Sequence, residues 1–357
     1  MINITKTVAI CNLGESVDSI FKNAVEGVLI PHKITFELPQ IDNKEDNLRC
    51  NKILLHLFNQ IKNDIEVKIK EYGNDRIGIV LATTNSGIEE YETTKDIEHL
   101  KMSAPSEYLK KLVGSTNYYC CISTACSSGV KTFSIAKRLI ENNICDCVIV
   151  GGVDAQSSFP NAGFRALEVL TPDLTNPFSK NRNGMNIGEA GALFILEKNK
   201  EGIKLLGIGE TSDAYNAATP DPSAEQAKEA IKIALKNANL VPEDIDYINL
   251  HGTGTIANDL MEAKAINEIF GEDIPCSSTK VLTGHCLGAA ASIEMALCVK
   301  ALEENKFLPH IFDNEYDETI EKVKLVKKDE KPLTEIKNIM CNAFGFGGTN
   351  AVIIIGK

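Results

Sequence analysis

Of the eleven cysteines in this 357-residue chain, Cys126 has the neighbourhood that a nucleophile needs. Ala125 precedes it and Ser127-Ser128-Gly129 follows, so no bulky side chain blocks an approaching substrate. The residues after it, Ser128–Asn142, carry a helical pattern. A thiol at a helix N-terminus feels unpaired N–H groups and the helix dipole, and both are expected to lower its pKa toward the thiolate. The competing reading is a buried cysteine packing as a small hydrophobe, the default for the other ten. Two histidines stand in comparable settings. His251 follows the strand-like Tyr247–Leu250 and precedes Gly252-Thr-Gly-Thr255; His285 follows Lys280-Val-Leu-Thr-Gly284 and opens a helix. The end of a parallel strand is where α/β folds place their sites, and His251 would sit there. Taken singly, each histidine reads equally as a satisfied structural residue.

Lys280 lies five residues before His285, and Glu294 nine after it. They read either as a structural ion pair or as a charge that sets the protonation and orientation of an imidazole. Gly345-Phe-Gly-Gly348 reads as a tight turn, or as backbone able to bring an N–H close to a reacting carbonyl, as an oxyanion hole requires. A thiol, two imidazoles and backbone donors, without a phosphate loop, suggest acyl transfer to sulfur and attack of a carbon nucleophile on the thioester. A Cys–His hydrolase would need one base and leave the second histidine and the lysine idle.

These side chains must be held by the elements around them. Val8–Cys11, Ile77–Ala82, Tyr118–Ile122, Cys147–Val150 and Ala192–Leu196 read as strands, and Asn47–Lys70 as a helix. The sequence then begins again: strand-like Gly202–Gly209, helical Ser223–Asn239, the strand Tyr247–Leu250 and a helix over Asp259–Phe270, with Asp259 and Glu262 spaced as a capping box. Strands alternating with helices imply a mostly parallel sheet covered on both faces. Gly188–Leu196 resembles Gly345–Ile355, and Thr124–Val130 resembles Thr283–Ala290, which points to a duplication; chance similarity of α/β punctuation is the alternative. The expected division is residues 1–200, carrying Cys126, and 201–357, carrying both histidines and the glycine loop.

Composition excludes several classes. The chain is 43% hydrophobic and 24% charged, which argues against disorder. A formal net charge of −12 makes it a poor generic binder of nucleic acid or anionic membrane. The apolar runs are strand-sized, so no membrane insertion is expected. An odd cysteine count with no leader-like start and no Cys-x-x-Cys argues against disulfides and against a zinc site. The expected setting is a reducing cytoplasm.

In this order, the motifs resemble those of the β-ketoacyl-acyl-carrier-protein synthases, type I/II branch of the thiolase-fold superfamily. Ser123-Thr-Ala-Cys-Ser-Ser128 resembles the nucleophile motif, His251-Gly-Thr-Gly-Thr255 the first histidine motif, and Lys280-Val-Leu-Thr-Gly-His285 the lysine and second histidine. Asn342-Ala-Phe-Gly-Phe-Gly-Gly-Thr-Asn350 resembles the C-terminal glycine loop, and Pro177–Gly184 with Gly188–Gly191 a further family segment. The resemblance runs from about Arg76 onward. It implies an α/β, thiolase-like fold in a duplicated five-layer αβαβα arrangement.

The activity it implies is a decarboxylating Claisen condensation. Cys126 would take an acyl group from an acyl-carrier protein. His251 and His285 would stabilise the enolate formed as the malonyl carrier loses CO2, and the N–H groups of Cys126 and Phe346 would form the oxyanion hole. Phe346, flanked by Gly345 and Gly347, would be the gate between the stages. Thr253 and Thr255 would contact the phosphopantetheine arm, and Glu294 would pair with Lys280. No cofactor bound by the enzyme and no metal is implied; the pantetheine belongs to the carrier. Relatives dimerise through the strand before the nucleophile, here Tyr118–Ser123, so a homodimer is expected, with a heterodimer containing a non-condensing subunit as the alternative. A non-catalytic role for this chain, or a Cys–His thioester hydrolase, are the competing functions. The chain is shorter than typical relatives, mainly before Cys126, where the acyl pocket is capped. Lys62, Lys68, Lys101, Lys110, Lys111 and Arg182 are candidates for a basic patch facing an acidic carrier.

Overall fold

A computed structural model describes all 357 residues. The N-terminal half contains β1 (Ile2–Cys11), α1 (Val17–Val25), α2 (Arg49–Tyr72), β2 (Ile77–Ala82), α3 (Ile88–Thr94), α4 (Ala104–Val113), β3 (Tyr119–Ile122), α5 (Ser128–Glu141), β4 (Cys147–Asp154), α6 (Ser158–Ala166) and β5 (Ala190–Lys198). The C-terminal half contains β6 (Ile203–Ser212), α7 (Glu225–Ala238), β7 (Tyr247–Asn249), α8 (Ile256–Phe270), β8 (Pro275–Ser277), α9 (Lys280–Thr283), α10 (Ala290–Glu304), β9 (Lys324–Leu325), β10 (Asn338–Gly345) and β11 (Thr349–Gly356).

The strand order is β3-β2-β4-β5-β1, continuing β6-β11-β10-β7-β8-β9. In the first half β2 pairs in parallel with β3 and β4, while β5 runs antiparallel to both β4 and β1. The second half repeats this: β7 is parallel to β8 and β10, and β11 antiparallel to β10 and β6. Only Asn3 and Ile4 against Lys204 and Ile203 join the halves along the sheet. The fold is α/β and thiolase-like, and the duplication suggested by the sequence is present in strand order and sense.

Three hydrophobic clusters fill the spaces between layers. One lies between the first half-sheet and α2 with α4, and one between the second half-sheet and α7 with α8. The largest lies in the middle, where α5 and α10 meet strands of both halves. β2 and β4 are buried along their whole lengths because both faces are covered. The central helices approach closely because small residues allow it. A Cβ on Gly129 would stand 2.9 Å from the Ser292 backbone nitrogen, and one on Gly152 3.2 Å from Ala289 Cα. This contact brings the loop before α5 and the loop before α10, and therefore Cys126 and His285, into one place.

Two local expectations need correction. β1 starts at Ile2 rather than Val8, because its polar residues are paired: the Thr5 hydroxyl donates to Glu197 at 2.6 Å and hides the apolar pattern. α8 begins at Ile256, with Thr255 as its N-cap, so Asp259 and Glu262 form no capping box. Both carboxylates turn instead to the loop that carries His251. No helix is long and apolar enough to cross a membrane.

Candidate active site

Cys126 stands in the short connection between β3 and α5. Ala125 before it takes a left-handed φ of 52°, an uncommon conformation for a residue with a side chain. The turn is pinned on both sides. Ser128 Oγ accepts the Thr124 N–H at 2.8 Å, and Thr349 Oγ1 donates to Thr124 O at 3.1 Å. Ser127 Oγ lies 2.9 Å from Thr349 Oγ1, so the start of β11 is tied to the nucleophile loop. Cys126 is only 4% exposed, and burial pushes its thiol up to about 11, with the Lys280 charge and the Phe346 N–H pulling back. The expected lowering is therefore overturned. α5 starts at Ser128 with Ser127 as its cap, leaving Cys126 outside the helix end, and desolvation exceeds what the dipole supplies.

His251, just past β7, and His285, between α9 and α10, face each other with ring centroids 5.5 Å apart at 87°. The sulfur and one nitrogen from each ring lie within 4.8 Å of one another. Residues 126, 251 and 285 thus converge although they are far apart in sequence. His285 Nδ1 accepts the Leu287 N–H at 3.0 Å, which leaves the ring hydrogen on a buried Nε2 without a partner in the protein. His251 Nδ1 faces Lys280 Nζ at 3.3 Å. An ammonium only donates, so this ring too carries its hydrogen on Nε2. Burial, with the nearby Lys280 charge, lowers His285 to about 3 and holds His251 well below its ordinary value. Both rings are neutral donors.

Cysteine and histidine are zinc ligands, and their spacing here is short enough for a metal. Coordination through Nε2 would, however, require the lone pair that carries the hydrogen, and both Nδ1 contacts would have to break. The arrangement fits an oxygen accepting two N–H bonds better than a cation.

Lys280 is fully buried and donates to Glu294 Oε1 and to His251 O, each at 2.5 Å. The ion pair inferred from spacing is present, and it touches the imidazole. The residues that sequence reasoning missed are those that hang the histidine loop on α8. Glu262 accepts the N–H groups of His251 and Gly252, both at 2.7 Å, and Asn342 Nδ2 at 3.1 Å. Burial raises Glu262 to about 7 against these donors. Asp259 accepts Gly254 N–H at 3.2 Å and Phe178 N–H at 2.8 Å. Two buried acids three apart, just after a Gly-Thr-Gly loop, were the available signal.

Two cavities meet at this cluster. One, of about 230 Å3, is lined by His251, Thr253, Thr255, Phe344, Gly345 and Phe346, among others. The other, of about 410 Å3, is predominantly apolar and contains Cys126, Ala125, Leu287 and Phe164. Phe346 is the only residue common to both linings. Its ring packs edge-on against Phe164 at 5.4 Å. The Thr253 and Thr255 hydroxyls lie 2.9 Å apart on the polar side. Gly347 belongs to neither cavity; its N–H donates to Ala217 O at 2.9 Å, so its expected place against substrate is not found.

The suggested basic patch does not form. Lys68, Lys101 and Lys111 are in ion pairs with Glu197, Glu107 and Asp46, at 3.0, 2.7 and 2.8 Å. Arg182 is buried against Asp317 at 2.5 Å, and Lys110 lies 4.2 Å from the centre of the Tyr119 ring. Lys62 is exposed but lines neither cavity.

Residues 64–202 match the β-ketoacyl synthase N-terminal domain and residues 203–312 the β-ketoacyl synthase C-terminal domain. The chain belongs to the β-ketoacyl synthase family. The chain is 35% identical over 254 residues to 3-oxoacyl-[acyl-carrier-protein] synthase 2 of Coxiella burnetii, a match covering 66% of this chain and 61% of that protein. It is 31% identical to the enzyme of the same name from Synechocystis sp., over 84% of this chain and 79% of the relative. The chain spans less than two thirds of the length of the Coxiella protein but most of the Synechocystis one. A chain of the structure described as ketosynthase ApeO in complex with its chain length factor ApeC, from Xenorhabdus doucetiae, superposes with a TM-score of 0.93. It is 35% identical, and the match covers 99% of this chain and 97% of that one.

Proposed function

We propose that this synthase joins a Cys126-bound acyl group to a malonyl unit with loss of CO2. The observation that supports this best is a thiol and two neutral imidazoles converging within 4.8 Å, beside one cavity that bears the Thr253 and Thr255 hydroxyls and another that is predominantly apolar. In the first stage, Cys126 sulfur attacks the thioester of an acyl-carrier protein, forming a new S–C bond and releasing the carrier thiol. The proton of the Cys126 thiol leaves with that thiol. The tetrahedral oxyanion takes hydrogen bonds from the Cys126 and Phe346 N–H groups. In the second stage the C–CO2 bond of the malonyl thioester breaks, and its electron pair forms an enolate. Its oxygen accepts from Nε2–H of His251 and His285, donors already oriented before the reaction. The enolate carbon attacks the Cys126 thioester, and the Cys126 thiolate leaves and is reprotonated. Lys280 holds His251 as a donor and lowers the cost of thiolate at Cys126.

Thr253 and Thr255 are assigned to the pantetheine arm, which the carrier supplies; the reaction calls for no cofactor of the enzyme's own. Phe346 is assigned as the gate. The proposed partners are acyl and malonyl carriers and a second subunit paired along β3, whose outer edge is open. A homodimer is the first choice, and a chain-length-factor-like subunit is the second, supported by the likeness to ketosynthase ApeO, which is solved in complex with its chain length factor ApeC. The pathway served is fatty-acid, polyene or polyketide synthesis. The proposed boundary between the two domains is 200/201, between β5 and β6.

Intact mass tests the assignment. Exposure to an octanoyl carrier should add one octanoyl group, malonyl carrier should then remove it as a β-keto product, and Cys126→Ala should gain nothing. An octanoyl adduct on Cys126→Ala, or release of free octanoate without malonyl carrier, overturns the proposal.

A further inference from the structure

We infer that Asp154 is a positioning residue for His285: it fixes the turn after that histidine and so keeps the imidazole a donor at Nε2. The inference deepens the condensation proposed above and rests on it. Asp154 ends β4 and lines neither cavity, so it acts only through its neighbours.

His285 is anchored on two sides. Its N–H donates to Asn186 O at 2.8 Å, and Gly188 N–H donates to His285 O at 2.9 Å. Further along, Gly288 N–H donates to Asp154 Oδ2 at 2.7 Å. Only Cys286 and Leu287 lie between these anchors. Leu287 takes a left-handed φ of 53°, which a leucine does not adopt unless its surroundings impose it. With that twist, Leu287 N–H donates to His285 Nδ1 at 3.0 Å while the next N–H, that of Gly288, reaches Asp154. Once Gly288 is released, Leu287 is free to relax toward an ordinary φ, and the donor to Nδ1 leaves with it. A ring no longer met by that N–H also takes up its hydrogen on Nδ1, and Nε2 is then a lone pair with nothing to offer an enolate oxygen.

The carboxylate is aimed before Gly288 meets it. Thr83 Oγ1 donates to Oδ1 at 2.6 Å, Asn85 N–H to Oδ1 at 2.9 Å and Thr84 Oγ1 to Oδ2 at 2.8 Å, all from the loop after β2. Asp154 is fully buried and no lysine or arginine pairs with it, so these dipoles alone hold its charge. Burial raises the carboxyl, and the Thr83, Thr84 and Asn85 donors pull it back. The contact has no slack. A Cβ on Gly288 would stand 2.8 Å from Asp154 Oδ2 and 3.0 Å from the Thr83 backbone carbon.

Two variants break the contact from opposite sides. Asp154→Asn keeps the shape and turns one acceptor oxygen into a donor; Gly288→Ala leaves the carboxylate and drives the turn off it. Octanoyl loading of Cys126 is followed by intact mass, CO2 release from malonyl carrier is counted per loaded enzyme, and the His285 ring is read from nitrogen–proton spectra of histidine-labelled protein. Loading should stay within about threefold of the parent, while CO2 release falls at least about tenfold, in kcat rather than KM, as part of the roughly hundredfold that deleting an oriented donor costs. His285, with its hydrogen on Nε2 alone in the parent, should show the Nδ1–H form in both variants. Should Asp154→Asn fail to fold, Gly288→Ala carries the same test. CO2 release within about twofold of the parent in a folded variant, or loading and CO2 release lost by the same factor, overturns the inference. So does an unchanged His285 spectrum. A parent that neither loads nor releases CO2 overturns the condensation itself, and the ring spectra still decide what Asp154 does.

Discussion

Replacing Lys280 by methionine removes the cation shared by Glu294 and His251. In the parent, Lys280 Nζ sits 2.5 Å from Glu294 Oε1 and from His251 O, and the other Glu294 oxygen already lacks a partner. Without the ammonium, both carboxylate oxygens are buried and bare. Breaking a buried pair from one side costs about 3–5 kcal/mol. With an unfolding entropy of about 2.1 cal/mol/K per residue, that lowers the midpoint of a 357-residue chain by about 4–7 °C. The loss carries a pH signature. Burial already raises the Glu294 carboxyl, with Lys280 pulling it back, so the variant raises it further. A carboxyl with a raised folded pKa stabilises fully below its unfolded value of about 4.3, and that contribution disappears as pH climbs through the folded value. The variant's midpoint should therefore fall as pH rises above about 4.3, more steeply than the parent's. Adding Glu294→Gln should recover most of the midpoint and flatten the slope, while CO2 release from malonyl carrier stays impaired because His251 Nδ1 has lost its donor. Differential scanning fluorimetry across pH, alongside CO2 release, separates these effects. An unchanged midpoint in Lys280→Met, or full recovery of CO2 release in the double variant, refutes the reasoning.

Four further outcomes follow from the geometry. Because burial holds the Cys126 thiol at about 11, its iodoacetamide alkylation should climb about tenfold per pH unit from 7 to 10; a plateau near neutrality would contradict the assigned desolvation. With His285 lowered to about 3 and His251 well down, CO2 release should show no histidine step between about pH 5 and 8, and a break near the ordinary imidazole value would show the rings are not resting neutral. Glu262, raised from 4.5 to about 7, contributes stability below 4.5 that is lost as pH rises toward 7; Glu262→Gln should flatten that part of the stability profile, by about 3 kcal/mol, and slow condensation through the loosened His251 loop. Gly129→Ala forces a Cβ to 2.9 Å from the Ser292 backbone, and chemical denaturation should register a loss of about 1–3 kcal/mol.

Much of the site was legible because its residues are punctuated by small neighbours. Cys126, His251 and His285 each stand next to Gly, Ala, Ser or Thr at the end of an element, and those breaks in periodicity are visible in one dimension. The Lys280–Glu294 pair was readable as a pair but not as a contact with His251, since that depends on how α9 packs against the β7 end. Asp259 and Glu262 were misread for a physical reason: an acid near the start of a helix looks like a cap, and only the real start at Ile256 turns them toward the loop. The thiol's pKa was misjudged because a helix end is written in sequence and desolvation is not. The same holds for much of the basic patch, where the carboxylates that meet Lys68, Lys111 and Arg182 lie far away in the chain.

Phe346 bounds both the chamber lined by the His251 imidazole and the chamber with the sulfur. One ring forms part of both walls, so the two compartments share a partition. With Phe346 as the proposed gate, traffic would pass a turnstile rather than two independent doors. A molecule wedged against Phe164 would be felt on the far side, and blocking one compartment is a way to idle both.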